Sequence, residues 1–415
     1  MRKRTRILVL ITVNSLFFLW GFLTVLNDIL VPYFRQIFSL SYVSVMLLQF
    51  CFFTAYGLVS IPSGKVIEKL GYRKSIFIAL LTAAFGSFLF LPAAHMPSFA
   101  LFLVATFVVA MGIVLLQVAA NPYVALLGDA ANSSSRLNLA QGFNSLGTTL
   151  GPLIGSQLIL YGKSYGNGID DIYGAMAVIL ALLAVFVILS KFPDLQVDQY
   201  EEFQEHLSRK AARLPNTPQP EKKQEHHDSI WQFSHLLYGA LAVFCYVGAE
   251  VSIGSFLVNF LSEPLILCVD HFVAGHYVSL YWGGAMIGRF IGCVILLRFS
   301  PRKLLTAAVI LASTLLILGI MTSGWISAYS ILAIGLCNSI MFPTIFTLGI
   351  RGLDNFTAKG SGILCTAIIG GALIPLIQGV CADHMGIQKA FFIPLLCYLY
   401  VLYYAKIGSV ARCRV

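Results

Sequence analysis

Apolar stretches long enough to cross a bilayer recur along this chain, and they decide its class before any other feature. A membrane-spanning helix needs about 20 apolar residues. Twelve such stretches are found, at residues 8–31, 42–64, 75–95, 99–127, 137–161, 172–190, 232–262, 271–297, 303–322, 326–348, 360–381 and 387–408. Only 11% of residues are charged and 58% are hydrophobic, which a soluble domain does not show. The sequence predicts an all-α membrane protein with twelve transmembrane helices.

The distribution of basic residues predicts the orientation of the chain. Positive residues accumulate in the cytoplasmic loops of membrane proteins. With the N-terminus inside, all but four of the 27 Lys and Arg residues fall on the cytoplasmic side, the exceptions being Arg35, Lys163, Lys389 and Arg289. The net charge of +9 is therefore a topology signal, and we expect no nucleic-acid partner. Both termini are expected in the cytoplasm, and the expected partner surface is the lipid bilayer.

The chain divides into two similar halves. Six spans within residues 1–190 and six within 232–415 flank a charged, proline-containing linker at 191–231. The stretch "GKVIEKLGYRKSI" after the second span resembles "CVILLRFSPRKLL" after the eighth. Paired six-helix bundles with a substrate site at their interface are the architecture of many secondary transporters. We therefore expect two six-helix bundles and a transporter.

Two carboxylates lie inside predicted spans. Asp28 belongs to "LNDILVP" in the first span, and Glu250 lies near the middle of the seventh. An ionised carboxylate at the centre of a membrane helix costs about 2.5–3.5 kcal/mol on insertion scales, so such groups usually face water or a partner. We interpret Asp28 and Glu250 as cation-coupling residues. Two interpretations stay open: a structural role for Asp28 near Pro32, and an ion pair between Glu250 and Arg289.

Neutral polar residues also cluster within the spans. Gln117 and Asn121 are four residues apart in the fourth span, and Gln141 and Asn144 share a broad face of the fifth with Ser145 and Thr148. Amides donate and accept hydrogen bonds, as sugar hydroxyls do, and an aromatic ring can cover the apolar face of a sugar. Trp20 and Phe346 are further aromatic candidates. The predicted substrate-binding residues are Asn27, Gln117, Asn121, Gln141, Asn144, Glu250, Trp282, Asn338 and Phe342.

Glycines spaced by four form one stripe in the fifth span and another in the eighth. The stripes are Gly147, Gly151 and Gly155, and Gly284, Gly288 and Gly292. Small residues at this spacing allow helices to approach closely in lipid. We expect both helices to pack tightly, and to pack against each other across the two halves.

The sequence argues against an enzyme. Membrane-depth catalysis needs a nucleophile–base pair or a metal cluster, and the histidines lie outside the span centres. The nine cysteines are scattered and predict neither disulfides nor a metal site. We expect no catalytic residues and no cofactor other than a coupling H⁺ or Na⁺. A receptor built on a transporter fold stays open.

Five stretches together resemble a known family. They are "FFLWGFLTVLNDILVPYF", "LQVAANPYVALLG", "RLNLAQGFNSLGTTLGP", "FCYVGAE" and "PTIFTLGIRGL". They resemble the fucose–galactose–glucose:proton symporters of the major facilitator superfamily, and look most like the glucose/galactose transporter branch. The resemblance implies two bundles that rock around a central sugar site in a bacterial inner membrane, with Asp28 as the proton-coupling residue. It also places Gln141 and Asn144 near the sugar.

Three departures separate this chain from the fucose permeases of that family. Gln117 stands where they have Glu, Glu250 stands where they have Gln, and Phe342 stands where they have Tyr. One carboxylate has thus changed sides of the cavity, and one hydroxyl is lost. The resemblance therefore implies a monomeric, cation-coupled importer of glucose, galactose or mannose. The alternatives are an L-fucose:proton symporter, or an exporter working as a proton antiporter, which "GTTLGPLIGS" loosely suggests.

Overall fold

A computed structural model describes most of the chain. It covers residues 3–37, 42–96, 98–161, 168–190 and 229–410, with side chains described throughout except at 3–8, 27–37, 42–49, 152–153, 155–161, 168 and 271–272. The predicted linker at 191–231 therefore lies almost entirely outside the described residues. The side chains of Asn27 and Asp28 lie outside them too, although both residues belong to a described helix.

The N-terminal half consists of five helices. They are α1 (Lys3–Ile37), α2 (Tyr42–His95), α3 (Phe99–Leu126), α4 (Ser133–Tyr161) and α5 (Gly168–Leu189). The range α2 contains two helices, which correspond to the second and third predicted spans and meet at Gly71. Gly71 departs from helical geometry, at φ 78° and ψ 168°, a conformation that glycine tolerates best. The predicted connection at 65–74 is therefore mostly helical and turns at this glycine.

The C-terminal half has more helix breaks than its hydropathy predicts. Its helices are α6 (Ser234–Ser262), α7 (His271–Ile295), α8 (Pro301–Met321), α9 (Gly324–Asn338), α10 (Met341–Gly349), α11 (Thr357–Thr366), α12 (Gly370–Met385), α13 (Ile387–Ala390) and α14 (Phe392–Tyr403). The predicted tenth span is divided into α9 and α10 at Ser339 and Ile340. The break lies just before Pro343, which has no N–H to donate to the carbonyl of Ser339.

The described helices agree with twelve membrane crossings. Among the residues that the structure describes, ten helical segments are long and apolar enough to span a bilayer. One of them, Phe50–His95, has 46 residues and would extend roughly 70 Å if straight, more than twice the hydrocarbon thickness of about 30 Å. It supplies two crossings on either side of Gly71. Helix α4 occupies the predicted fifth span, and the predicted all-α class is confirmed.

The helices that carry the glycine stripes pack tightly, and they pack against each other, as predicted. A side chain at Gly147 would overlap the backbone of Phe18 in α1, so the stripe of α4 lies against α1. In α7, Gly288 lies against Ser339, next to α9. A Cβ at Gly292 would lie 2.9 Å from the side chain of Asn138 in α4, so the α7 stripe reaches the opposite half.

The two halves meet at one end of the bundle, here called the basic end because Arg298, Arg351 and Lys359 lie there. Lys359 of α11 forms an ion pair with Glu68 of α2 at 3.2 Å. Between α4 and α7, the Ser135 hydroxyl donates to the carbonyl of Cys293 at 2.7 Å, and the Asn138 amide donates to the carbonyl of Arg289 at 2.6 Å. The described contacts between the halves continue to the middle of the bundle, where Thr149 lies 3.4 Å from the sulfur of Met286. The two halves are therefore in contact at the basic end, so the bundle is closed there.

Candidate functional site

Helices α2, α3 and α4 bring the predicted amides of the N-terminal half together; we call Tyr56, Gln117, Asn121 and Gln141 the amide cluster. The Tyr56 hydroxyl donates to Gln117 Oε1 at 2.8 Å. Gln141 Nε2 lies 3.4 Å from Asn121 Oδ1, near the limit for a hydrogen bond. The Nδ2 group of Asn121 is buried without a partner among the described residues. The cluster therefore keeps hydrogen-bonding capacity that its own side chains do not use.

Asn144 contributes to helix packing. Its Nδ2 donates to the carbonyl of Phe17 in α1 at 3.1 Å. The same stretch of α4 lies so close to Gly21 that a Cβ at position 21 would overlap the backbone of Asn144. In this conformation the predicted sugar-binding amide of Asn144 fixes α4 against α1.

The C-terminal half contains a second buried polar group, here called the asparagine cluster: Tyr246, Tyr281, Asn338 and Tyr398. Tyr398 donates to Asn338 Oδ1 at 2.7 Å, and Asn338 Nδ2 donates to the Tyr281 oxygen at 2.9 Å. Tyr246 donates to the backbone carbonyl of Asn338 at 3.0 Å. All four residues are fully buried. Asn338 is the last residue of α9, so three tyrosines from α6, α7 and α14 hold the residue that precedes the helix break.

Glu250 lies beside the asparagine cluster and is joined to it through its backbone. The Tyr281 hydroxyl donates to the carbonyl of Glu250 at 3.2 Å. The carboxylate of Glu250 lies 3.8 Å from Arg289 Nη2, and both side chains are about one-eighth exposed, at 12% and 13%. The ion pair that the sequence left open is therefore present. At 3.8 Å it is longer than a charge-assisted hydrogen bond, and Glu250 Oε1 has no hydrogen-bond donor among the described groups.

Arg289 links these two regions. Its guanidinium donates to the Ser145 hydroxyl and, at 3.3 Å, to the backbone carbonyl of Gln141, both in the opposite half. Arg289 thus contacts α4 and the carboxylate of α6 at once. It joins the amide cluster to Glu250.

The predicted aromatic residues take different positions. Trp282 is 42% exposed and packs on Gly254, one turn beyond Glu250 on the same helix. Phe342 and Phe346 are buried and lie 5.9 Å apart between ring centroids at the start of α10. Trp20 is buried against Phe17. Trp282 is therefore the predicted aromatic with the most free surface next to the charged pair.

The tyrosines and Arg289's bond to Ser145 were not found by sequence reasoning. Tyr56, Tyr281 and Tyr398 lie in apolar stretches where most aromatics simply pack, and the partner of each comes from another helix. Only the spacing of Tyr246 and Glu250, four residues apart on one face of α6, gave a signal. No group of three or more potential metal ligands occurs among the described residues.

A cavity of about 550 Å³ opens at the basic end, away from these residues. It lies between connections of the two halves and is lined by residues that include Tyr72, Ser134, Arg298, Arg351 and Asp354. None of the predicted sugar-binding residues lines it. Its volume would accept a small molecule, but the predicted site lies deeper in the bundle.

Comparisons with known proteins agree on one family. The sequence profile of the Major Facilitator Superfamily matches residues 10–368. The glucose/galactose transporter of Brucella abortus is 45% identical over 406 residues, covering 96% of this chain and 94% of the relative. The L-fucose-proton symporter of Escherichia coli is 33% identical over 438 residues, covering 98% and 94%. The crystal structure of the transporter FucP in the outward conformation has a TM-score of 0.82 at 32% identity, covering 97% of this chain and 99% of that one.

Proposed function

Because this chain belongs to the fucose–galactose–glucose symporter family of the major facilitator superfamily, we propose that it imports a neutral hexose together with a cation by alternating access. The observation that carries the proposal is the amide cluster, whose unused hydrogen-bonding groups lie across the bundle from Glu250 and Arg289. An amide surface suits a neutral solute with many hydroxyls.

The proposed sugar site is formed by both halves. Gln117, Asn121 and Gln141 supply amides from one side, and Glu250 and Trp282 supply a carboxylate and a ring from the other. Asn27, Asn144, Asn338 and Phe342 complete the proposed set. For Asn144 and Asn338 we propose a structural role beside the sugar, because their amides already form hydrogen bonds within the protein.

Asp28 is the proposed cation-coupling residue, with Glu250 as a second acidic group. Coupling requires that the carrier loaded with both sugar and cation change conformation more readily than the singly loaded carrier. Neutralising a carboxylate inside the membrane supplies such a difference, since a bare charge is costly there. Either H⁺ or Na⁺ would serve, because carboxylate oxygens accept both.

We propose glucose, galactose or mannose as the substrate in preference to L-fucose. Two features support this: the 45% identity to a glucose/galactose transporter against 33% to an L-fucose-proton symporter, and the phenylalanine at position 342. The antiporter alternative gains no support from "GTTLGPLIGS", because Gly147 and Gly151 in that stretch pack on α1.

The proposed location is the bacterial inner membrane, with the protein a monomer and both termini in the cytoplasm. Arg298 and Arg351 line the cavity at the basic end, and Lys359 pairs with Glu68 there, which supports a cytoplasmic position for that end by the positive-inside rule. A carrier closed there is proposed to face outward.

Uptake into proteoliposomes tests the proposal. Labelled glucose, galactose, mannose and L-fucose are supplied with an imposed pH or Na⁺ gradient. We expect gradient-driven accumulation of a hexose by the unmodified protein. In Asp28→Asn we expect accumulation to be lost while exchange of sugar for sugar persists, because exchange does not require the cation to leave.

Asp270→Asn is the matched control. Asp270 is exposed and caps α7 by accepting from the amide of Val273 at 2.9 Å, a bond that Asn also makes. The Asp270→Asn variant should accumulate sugar as the unmodified protein does. Accumulation by Asp28→Asn would rule out Asp28 as the coupling residue, and failure of every hexose in the unmodified protein would rule out hexose import.

A further inference from the structure

Arg289 is the charged side chain of α7 that crosses between the halves at the depth of the proposed site. It donates to the Ser145 hydroxyl and to the carbonyl of Gln141 in the N-terminal half. Its own half offers it the Glu250 carboxylate at 3.8 Å. In the closed arrangement the guanidinium is therefore held more closely by the opposite half than by its own acid.

Neither charged group is fully satisfied in this arrangement. Arg289 Nε and Glu250 Oε1 are both buried without a hydrogen-bond partner among the described residues. A guanidinium has five N–H donors and a carboxylate accepts at two oxygens, so a two-bond pair between them is chemically available. The capacity for a closer ion pair is present and unused.

Opening of the basic end must separate α4 from α7. That movement breaks the hydrogen bonds of Ser135 and Asn138 to α7. It also takes from Arg289 its two acceptors in the N-terminal half, the carbonyl of Gln141 and the hydroxyl of Ser145. The guanidinium then needs other acceptors, which water or a carboxylate can supply. Among the described residues, Glu250 is the acid within 4 Å of it, and it moves with Arg289 because both belong to the same half.

We propose that Arg289 is a positioning residue that holds the basic end closed, and that Glu250 permits opening by receiving the guanidinium when α4 withdraws. The proposal rests on the carrier function inferred above, since it concerns how that carrier changes conformation. It gives the two members of one ion pair opposite effects: Arg289 favours the closed state and Glu250 favours the open one. If the ion pair were purely structural, replacing either residue would change the closed state in the same direction.

Cys293 is a natural reporter of this interface. It lies four residues after Arg289, and its sulfur is 3.7 Å from the Ser135 hydroxyl of the opposite half. A variant that retains Cys293 and has alanine at the other cysteine positions is reconstituted in nanodiscs, where both faces meet solvent. The rate of alkylation by N-ethylmaleimide, without sugar, then measures how often the basic end opens.

We expect Arg289→Gln to be alkylated about tenfold faster than the parent, because the hydrogen bonds of a charged group across the closed interface are lost. We expect Glu250→Gln to be alkylated about tenfold more slowly, because the open state then leaves the guanidinium without a charged acceptor. The double variant should match Arg289→Gln, since this effect of Glu250 on opening, measured without sugar, depends on the arginine. These rates do not depend on sugar, so a failure of hexose uptake would leave the test intact.

Two further variants keep the result interpretable. Lys359→Gln breaks the ion pair between Lys359 and Glu68, which joins the two halves and whose side chains are 41% and 27% exposed, and should change alkylation by less than about threefold. If Arg289→Gln does not fold, Arg289→Lys replaces it, with a smaller acceleration expected. The same direction of change in the Arg289 and Glu250 variants, or no change in either, would overturn the proposal.

Discussion

The amide cluster and the asparagine cluster use the same kinds of side chain for different purposes. In the asparagine cluster, both polar atoms of the Asn338 side chain have tyrosine partners at 2.7 and 2.9 Å. In the amide cluster, the contact between Gln141 and Asn121 is 3.4 Å long, and Asn121 Nδ2 has no partner among the described residues. Burial is nearly complete in both. The difference lies in how much hydrogen-bonding capacity is already used.

This difference indicates which region binds and which supports. A saturated network in a buried place fixes geometry, because each bond that is broken leaves a costly unpaired group. A partly satisfied network is costly to the protein alone, and a ligand can supply the missing partners. This contrast supports the proposal that the amide cluster contacts sugar, while the asparagine cluster supports Glu250 and the α9–α10 break.

Replacement of Asn338 should have the largest effect on the fold. Asn338→Ala leaves the hydroxyl of Tyr398 without its acceptor, at a cost of about 1–3 kcal/mol. It also removes the bond that Tyr281 accepts, worth about 0.5–1.5 kcal/mol, while Tyr281 still donates to the carbonyl of Glu250. We therefore expect a loss of roughly 1.5–4.5 kcal/mol. Thermal unfolding in detergent, followed by size-exclusion chromatography, measures it. A variant that stays stable but no longer binds sugar would show that Asn338 is a sugar ligand and would reverse our assignment.

Replacement of Asn121 should instead affect binding. Asn121→Ala removes an amide whose Nδ2 has no described partner, so we expect stability to change by less than about 1 kcal/mol and sugar affinity to fall about tenfold. Sugar binding by scintillation proximity, together with thermal unfolding, separates the two effects. A large loss of stability with unchanged affinity would mean that the amide cluster is also structural.

The fold was largely predictable because transmembrane helices are encoded locally. The apolar stretches and basic loops predicted the helical architecture without any knowledge of contacts. Two features escaped this reading. The turn at Gly71 and the break before α10 are each confined to one or two residues, which an average over 20 residues does not register.

The site was predictable only where its residues share a helix. Gln117 and Asn121, and Gln141 with Ser145, are four residues apart, so a periodic pattern placed each pair on one face. The asparagine cluster joins residues 57, 60 and 92 positions apart along the chain. Such contacts depend on how the helices pack, and a single sequence gives no signal for them. The glycine stripes predicted correctly that α4 and α7 pack tightly and contact each other, although their spacing did not show that the α4 stripe lies against α1.

The smallest effects come from a matched pair of tyrosines. Tyr398→Phe and Tyr56→Phe each delete one buried oxygen that donates to an amide oxygen, at 2.7 and 2.8 Å. We expect Tyr398→Phe to cost about 1–3 kcal/mol, because Asn338 Oδ1 then lacks a donor in a closed network. Tyr56→Phe should cost less than about 1 kcal/mol, because Gln117 lies in a cluster where other donors, including a sugar hydroxyl, can reach it. Added sugar should reduce the difference in unfolding temperature between Tyr56→Phe and the unmodified protein. It should leave the difference in unfolding temperature between Tyr398→Phe and the unmodified protein unchanged. Equal costs for the two tyrosines, with equal responses to sugar, would remove the distinction between a binding cluster and a supporting one.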